Sequence, residues 1–286
     1  MCSLPDRGRT PAASVPRADP PVWRLLVDEP LPGAVNMARD HALAALARPG
    51  TGTLRFYRWS PATLSMGRNE PVTPGYRQLL RRHPEMGVVR RPTGGRAVLH
   101  DREVTYSVVL PVRVFGGLRP AYGKINEGLV EGLRRLGVDA ARATGGPGRA
   151  RNPEAGPCFL EPARGEVVVR GRKLVGSAQA RIGGAILQHG SLLLVADQEA
   201  LFSGGHGERR GPAGCGDGVA REPRRAITLA ELGEVPPWNR LVAELAAGFE
   251  HVVAGRWSRG SLTGSERALA AKLEKRYGSR EWTWRR

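Results

Sequence analysis

The stretch from 166 to 195 constrains the fold of this 286-residue chain more than any other. It reads EVVVRGRKLVGSAQARIGGAILQHGSLLLV, in which β-branched and other apolar runs are interrupted at Arg170-Gly171 and at Gly183-Gly184. Glycine-containing dipeptides between strand-like runs are typical of tight hairpin turns. The stretch therefore predicts two consecutive β-hairpins.

The segments before it predict a mixture of strands and helices. WRLLVDEP, from Trp23, predicts a strand, TLRFYRWSPATLSMGR predicts two strands, and GVVRRPTGGRAVLHDREVTYSVVLPV predicts strand, glycine turn and strand. PGAVNMARDHALAALARPG and KINEGLVEGLRRLGV predict helices, since the first is bounded by Pro/Gly pairs and the second carries one apolar face. The mixed order predicts an α+β fold.

The domain organisation follows from composition along the chain. Residues 1–21 lack an apolar segment and predict a disordered tail rather than a secretory signal. Residues 22–255 predict a single α+β domain, with a polar, glycine-rich flexible loop at 203–225. Residues 256–286 predict a helical extension, with the capping pattern Thr263-x-x-Glu266 at its start. No apolar run approaches the length of a membrane span, so a cytoplasmic location is the expectation.

The formal charge is +17, from 44 basic and 27 acidic residues. Three explanations stay open, namely a general bias toward Arg, attraction to an acidic protein partner, and nucleic-acid binding. Nucleic acid is the least favoured, because no zinc finger, RNA-recognition motif or helix-turn-helix segment is present.

One lysine stands out in this arginine-rich chain. Only four of the basic residues are lysines, and Lys173 is the one that follows the turn of the first predicted hairpin. A lysine supplies a compact charge that can also lose its proton, whereas an arginine presents a broad fork that stays charged. Lys173 is therefore a candidate for polarising a carbonyl, although a solvated residue beside a turn would have the same sequence.

The three cysteines predict no disulfide framework and no zinc site. Cys2 lies in the tail and Cys215 in the glycine-rich loop, so both are interpreted as incidental. Cys158, in GPCFLEP, precedes the first hairpin and is a candidate nucleophile if a cation lowers its pKa. A half-buried structural cysteine is the alternative.

His100 and His189 are expected to be buried, and each is more often a hydrogen-bonded structural group than a base.

Several motifs in order resemble the biotin/lipoate protein ligase and octanoyltransferase superfamily. They are NMARDHAL, LRFYRWSPATLSMGR, RRPTGGRAVLHD, EVTYSVVLP and GRKLVGSAQARIGGAILQHGSLLL, which together cover about residues 23–200. The resemblance implies a mixed β-sheet flanked by helices, with an acyl-binding tunnel. The substrate-binding residues that it implies are Arg91, Gly94, Gly95, His100, Gly176, Ser177, Ala178, Gln179 and His189.

Two departures indicate a branch within this superfamily. Arg96 stands where the ATP-dependent lipoate ligases carry a third glycine, and Pro157-Cys158-Phe159 resembles the nucleophile motif of octanoyltransferases of the Gram-positive type. The resemblance then implies catalysis by Cys158 and Lys173 in lipoate biosynthesis, without a metal, ATP or another cofactor. The donor that it implies is octanoyl-acyl carrier protein. The acceptor is the lysine of a lipoyl domain of 2-oxoacid dehydrogenases or of glycine-cleavage H protein.

Two related activities remain as alternatives. An ATP-dependent lipoate-protein ligase would share the Lys173 motif, and an amidotransferase moving octanoyl or lipoyl groups between lipoylated proteins would share Cys158. The sequence does not determine the preferred acyl-chain length, the acceptor or the oligomeric state.

Overall fold

A computed structural model describes residues 21–144, 164–195 and 226–285. Residues 1–20 of the predicted tail, the predicted loop at 203–225 and all three cysteines lie outside this described part of the chain.

Eight strands form the main sheet in the order β11-β1-β2-β6-β10-β9-β8-β7. These strands are β1 (Val22–Val27), β2 (Thr51–Tyr57), β6 (Glu103–Pro111), β7 (Ala141–Arg142), β8 (Val167–Val169), β9 (Arg172–Ile182), β10 (Ala185–Leu193) and β11 (Arg256–Arg259). β1 runs parallel to both of its neighbours, and the remaining pairs are antiparallel. The two predicted hairpins are confirmed as β8-β9 and β9-β10.

A smaller sheet joins three strands that precede β6 in the chain. β3 (Thr63–Met66) lies between β4 (Gly87–Arg90), to which it is parallel, and β5 (Val98–His100), to which it is antiparallel. A helix that was not predicted from the sequence, α2 (Pro74–Arg82), packs beside this sheet. It begins with Thr73 as N-cap, whose hydroxyl accepts from the Tyr76 amide at 3.3 Å.

Helices cover both faces of the main sheet. α3 (Leu118–Arg135) and α4 (Trp238–Val252) pack against each other and bury the largest apolar core on one face. α1 (Gly33–Ala45) and α5 (Gly264–Tyr277) pack together on the other, followed by the short helix α6 (Arg280–Thr283). These observations confirm the predicted α+β class, a mixed β-sheet flanked by helices. Among the described residues, no helix combines the length and the apolar character that crossing a bilayer requires.

The C-terminal segment begins with a strand rather than a helix. β11 pairs with β1 in the main sheet, so residues 256–259 of the predicted helical extension are extended. The helix that follows has the predicted capping box, because the Thr263 hydroxyl and the Glu266 carboxylate each accept from the other's backbone amide. The division of the chain at residue 255 stays a prediction.

The strand register places polar residues on the α1 side of the sheet. Val104, Tyr106, Val108 and Leu110 of β6 contribute to the core beneath α3 and α4, as their period-two spacing predicts. The alternate positions Thr105 and Ser107 lie opposite Ser191 and His189 of β10. Because cross-strand partners share a face, these side chains form adjacent rows that become the floor of a pocket.

Candidate active site

A pocket opens between the α1 side of the main sheet and strand β5 of the smaller sheet. Six residues predicted from the sequence line it: Arg91, His100, Gly176, Ser177, Ala178 and His189. The other lining residues are Met37, Tyr57, Trp59, Val98, Thr105, Gly190 and Ser191. The predicted residues Gly94, Gly95, Gln179 and Lys173 are not among the described lining residues, and Cys158 lies outside the described part of the chain.

Arg91 holds the glycine loop, residues 92–97 before β5, in place at the edge of this pocket. Its Nη2 donates to the carbonyl oxygens of Gly94 and Arg96 at 3.1 and 2.8 Å, and its Nη1 donates to the Ser65 carbonyl at 2.7 Å. Gly95 has φ +88°, in the left-handed region that glycine adopts without steric cost. The guanidinium and the glycine therefore fix the backbone of the loop relative to β3.

Gly67 brings a second backbone segment against the glycine loop. A Cβ atom at Gly67 would lie 1.8 Å from the carbonyl oxygen of Gly95, so the two backbones touch only because Gly67 has no side chain. We expect Gly67→Ala to displace the loop and to destabilise the fold by about 1–3 kcal/mol, as overpacking does. Denaturant unfolding would measure the loss of stability, and an assay of the octanoyl transfer that the family resemblance implies would measure the displacement of the loop.

Gly75→Ala is the matched control for this change. A Cβ atom there would make only an ordinary contact, 3.7 Å from the Thr73 hydroxyl oxygen. Since Gly75 lies in the first turn of α2, alanine should leave transfer at the wild-type rate and the stability unchanged or slightly higher, because alanine favours the helix. Equal behaviour of the two variants would contradict the role assigned to the Gly67–Gly95 contact.

His189 links the glycine loop to helix α1. Its Nδ1 lies 3.1 Å from Asp40 Oδ2, and its Nε2 lies 2.6 Å from the Thr93 hydroxyl. A carboxylate only accepts, so Nδ1 carries the proton and Nε2 accepts from Thr93. The ring is buried, and burial lowers its pKa despite the hydrogen bond to Asp40. His189 is therefore a neutral imidazole bridging α1, β10 and the loop.

The Asp40 carboxylate is fully buried beneath the pocket. Besides His189, it accepts from Arg55 Nη1 and Ser107 Oγ at 2.8 Å each and from the Tyr57 hydroxyl at 2.9 Å. Burial alone would raise the pKa of Asp40, but Arg55, His189 and Ser107 together hold it below the ordinary value. The ion pair and its hydrogen bonds thus fix the side chains that surround His189.

His100 forms the opposite wall of the pocket. Its ring stacks on Trp59, with centroids 4.0 Å apart and planes 15° from parallel. Nδ1 donates to Glu103 Oε1 at 3.2 Å, and Nε2 accepts from the Ser65 hydroxyl at 2.7 Å. Ser65 in turn accepts from Arg91 Nη1 at 2.7 Å, so the wall and the glycine loop share one hydrogen-bond chain.

Glu103 ends this chain at the floor of the pocket. Its carboxylate also accepts from the hydroxyls of Thr105 and Ser191, while Thr105 accepts from the Trp59 indole N–H at 2.7 Å. Trp59 and His100 are thereby both fixed by the same carboxylate. The result is a wall of two stacked rings whose polar atoms are occupied and whose faces remain available for apolar contact.

Stability should fall as the pH drops from 7 to 5.5. Burial lowers the pKa of both His100 and His189 below 6.5. Near that pH the two rings are therefore more fully protonated in the unfolded chain than in the folded chain. The stabilisation is complete above the pKa of a histidine in the unfolded chain, and it is lost as the pH falls below that pKa. The loss is up to about 1.4 kcal/mol per pH unit for each histidine. Denaturant unfolding across this range measures the slope.

Removal of one buried ring tests this pH dependence. His189→Gln should reduce the slope, since one buried titrating ring is gone. A wild-type unfolding free energy that stays constant between pH 7 and 5.5 would contradict the expectation.

Gln179 belongs to a different polar chain, on the α3 and α4 face. Its amide donates to Gln188 at 2.8 Å, and Gln188 donates to the Tyr106 hydroxyl at 2.8 Å and to Asn126 at 3.0 Å. Tyr106 also pairs with Ser177 at 2.8 Å, and burial raises its pKa to about 12. This chain supports strands β9 and β10 from behind the pocket.

Lys173 is buried with an acidic partner that was not predicted from the sequence. Its Nζ lies 2.7 Å from Glu166 Oε1, and the two side chains are 2% and 8% exposed. The two residues belong to the hairpin β8-β9 and its entry, where the turn residues Arg170 and Gly171 both adopt positive φ. A solvated lysine beside a turn, the alternative kept from the sequence, is therefore wrong.

The supporting residues of the pocket were also missed: Asp40, Tyr57, Trp59, Thr93, Glu103, Thr105 and Ser191. One sequence signal pointed to some of them. In β6 the polar residues Glu103, Thr105 and Ser107 alternate with apolar ones, and a strand inside a covered sheet has no solvent-facing side to receive them. Such a polar stripe in a buried strand indicates an internal polar site.

Known proteins resemble this chain over nearly its whole length. Octanoyltransferase LipM of Kyrpidia tusciae is 43% identical over 280 residues, covering 92% of this chain and 99% of the relative. Octanoyltransferase LipM of Moorella thermoacetica is 37% identical over 276 residues, covering 92% and 98%.

A solved structure has the same fold as this chain, and a family of catalytic domains matches most of its sequence. The bi-partite lipoate protein ligase of Thermoplasma acidophilum superposes with a TM-score of 0.69 at 23% identity, covering 92% of this chain and 96% of that one. Residues 32–250 match the lipoyl protein ligase A/B catalytic domain. The chain therefore belongs to the lipoyl protein ligase A/B catalytic domain family.

Proposed function

We propose that this protein is an octanoyltransferase of lipoate biosynthesis. The observation that carries the proposal is the 43% identity to an octanoyltransferase that this chain matches over 99% of that relative's length. The reaction moves an octanoyl group from a thioester donor to a lysine amine. No separate activation of the acid is needed, because a thioester is already an activated acyl group.

The pocket supports this proposal through its walls. An octanoyl chain offers only apolar surface, and the pocket presents the stacked Trp59 and His100 rings, Met37 and Val98. The imidazoles are neutral and hydrogen-bonded within the protein, so neither ring presents a charge to the acyl chain. Burial of the acyl chain against these walls would supply the binding energy.

The acyl group would pass through Cys158. A Cys158 thiolate attacks the carbonyl carbon of the donor thioester, the bond to the donor sulfur breaks, and the donor thiolate leaves and takes up a proton. The neutral amine of the acceptor lysine then attacks the enzyme thioester. The new C–N bond forms, the amine loses a proton, and the Cys158 thiolate is released.

Lys173 would stabilise the negative charge of both steps. Its ammonium group, held by Glu166 at 2.7 Å, is a fixed positive charge at the start of β9. A pre-positioned cation favours the thiolate over the thiol and favours the oxyanion of each tetrahedral intermediate. Because Glu166 orients the ammonium in advance, no reorganisation is needed when charge develops.

The partners follow from the same chemistry. The T. acidophilum ligase was solved as part of a lipoylation system with its E2 lipoyl domain. For this chain we propose acyl carrier protein as donor and a lipoyl domain or glycine-cleavage H protein as acceptor, meeting in the cytoplasm. Both partners are typically acidic proteins, which agrees with the formal charge of +17.

One incubation tests the function. Purified protein is mixed with octanoyl carrier protein and a lipoyl-domain acceptor without ATP, and acceptor mass is followed by mass spectrometry. The expected result is an octanoylated acceptor. Modification that requires ATP and free octanoate would indicate a ligase, and modification only from an octanoylated protein amide would indicate an amidotransferase.

A further inference from the structure

The C-terminal residues are fixed beside the glycine loop by a buried arginine. Arg90 donates to the carbonyls of Gly67 and Glu70 at 2.6 and 2.7 Å and to the carbonyl of Thr283 at 3.0 Å. The Trp282 indole N–H donates back to the Arg90 carbonyl at 2.9 Å. The turn after β3 and the end of the chain therefore form one surface.

Three arginines lie over the tryptophans of this surface, and a fourth, Arg68, lies beside them. The guanidinium carbons of Arg276 and Arg285 each lie 3.8 Å from the Trp282 ring centroid, and that of Arg77 lies 4.7 Å from the Trp284 ring. Arg285 Nη2 donates to the Arg68 carbonyl at 2.8 Å. We call Arg68, Arg77, Arg276 and Arg285 the arginine cluster.

The positive charge of the cluster is not neutralised within the described part of the chain. None of its four guanidinium groups lies within 4.0 Å of a described carboxylate. Arg68, Arg77 and Arg276 are exposed, and Arg285 is half-buried. After burial, the charges of Arg68 and Arg276 are the main causes that lower the pKa of Arg285, which is consistent with like charges held close together.

The arginine cluster lies beside the glycine loop, at the edge of the pocket. The Arg68 amide donates to the Thr93 carbonyl at 2.7 Å, next to the glycine loop. On the other side, Tyr277 of α5 contacts His41 at 2.8 Å, one helical turn beyond the pocket residue Met37. A macromolecule bound to the cluster would therefore stand beside the loop that Arg91 holds.

We propose that the arginine cluster is the docking surface for the donor carrier protein, which rests on the proposed function. Guanidinium groups match carboxylates and phosphodiesters bidentately, and such a donor is acidic and joins its acyl arm through a phosphodiester. The acceptor is acidic as well, but it carries no phosphodiester, and the four charges repel the lysine ammonium that it must present to the pocket. The cluster therefore matches the donor better than the acceptor.

The test compares two double variants with the same change of charge. Arg68→Glu with Arg276→Glu reverses two of the four charges of the cluster, and Arg119→Glu with Arg240→Glu, at exposed positions of α3 and α4 across the sheet, is the control. Each is assayed with octanoyl carrier protein and with octanoyl-pantetheine, a donor that lacks both the protein and the phosphate. Direct binding of octanoyl carrier protein is measured in parallel.

For the cluster variant we expect KM for octanoyl carrier protein to rise on the order of tenfold or more, with kcat/KM for octanoyl-pantetheine unchanged. The control should resemble wild type with both donors. An unchanged KM for the carrier protein, or a rise in KM for the lipoyl domain instead, would overturn the assignment.

The binding measurement detects docking of the carrier protein without turnover. An inactive wild type would therefore count against the proposed function, and undiminished binding by the variant would count against the surface.

Discussion

Replacing Cys158 with alanine is expected to abolish the octanoyl adduct that wild-type protein forms with a thioester donor. Alanine carries no nucleophile, so the first C–S bond cannot form. Cys158→Ser should also fail to accumulate the adduct, because a hydroxyl without an activating base is a far weaker nucleophile than a thiolate. Intact-protein mass spectrometry after incubation with octanoyl carrier protein, without acceptor, measures the adduct directly.

The other two cysteines supply the matched controls. Cys2→Ala and Cys215→Ala each remove one thiol from a segment that the sequence interprets as incidental, and both should keep the full adduct. A full-strength adduct in Cys158→Ala would remove the nucleophile from the proposal. Loss of the adduct in Cys215→Ala would move it to the loop at 203–225.

The elements that the sequence predicted are those with a local signal. The hairpin turns at Arg170-Gly171 and Gly183-Gly184 need positive φ, and three of these four residues have it. The missed strand β11 reads RWSR, has no apolar alternation, and becomes extended only by pairing with β1, far away in sequence. The missed helix α2 is an exception, because Tyr76, Leu79 and Leu80 recur at helical spacing after the Thr73-Pro74 start, so a local signal was present in this short, mostly polar segment.

The residues of the site also divide into those with a sequence signal and those without one. Arg91, His100 and His189 were predicted because their motifs match a known superfamily. The residues that fix them were not, because each contact crosses between elements, as in Ser65 to His100 or Asp40 to His189. Such contacts depend on the register of β3, β5 and β10, which no short stretch of sequence specifies.

Lys173→Arg is expected to lower turnover on the order of 10²-fold or more, while the protein still folds. The ammonium is 2% exposed and 2.7 Å from Glu166, so its site is built for a compact charge. Arginine keeps the charge but spreads it over a wider plane, which moves it from the position where a thioester oxyanion would form. Transfer from octanoyl carrier protein to a lipoyl domain measures the loss, and wild-type turnover would contradict it.

A second pair of variants separates catalysis from stability at this ion pair. Lys173→Met leaves the Glu166 carboxylate buried without the ammonium, which should cost about 3–5 kcal/mol of unfolding free energy. Combining it with Glu166→Gln removes the buried negative charge as well and should restore most of that stability. Turnover should stay low in the double variant, because the cation proposed to stabilise the thiolate and the oxyanion is absent. If Lys173 serves only to hold the hairpin together, the double variant will instead regain activity along with stability, and the catalytic role will have to be given up.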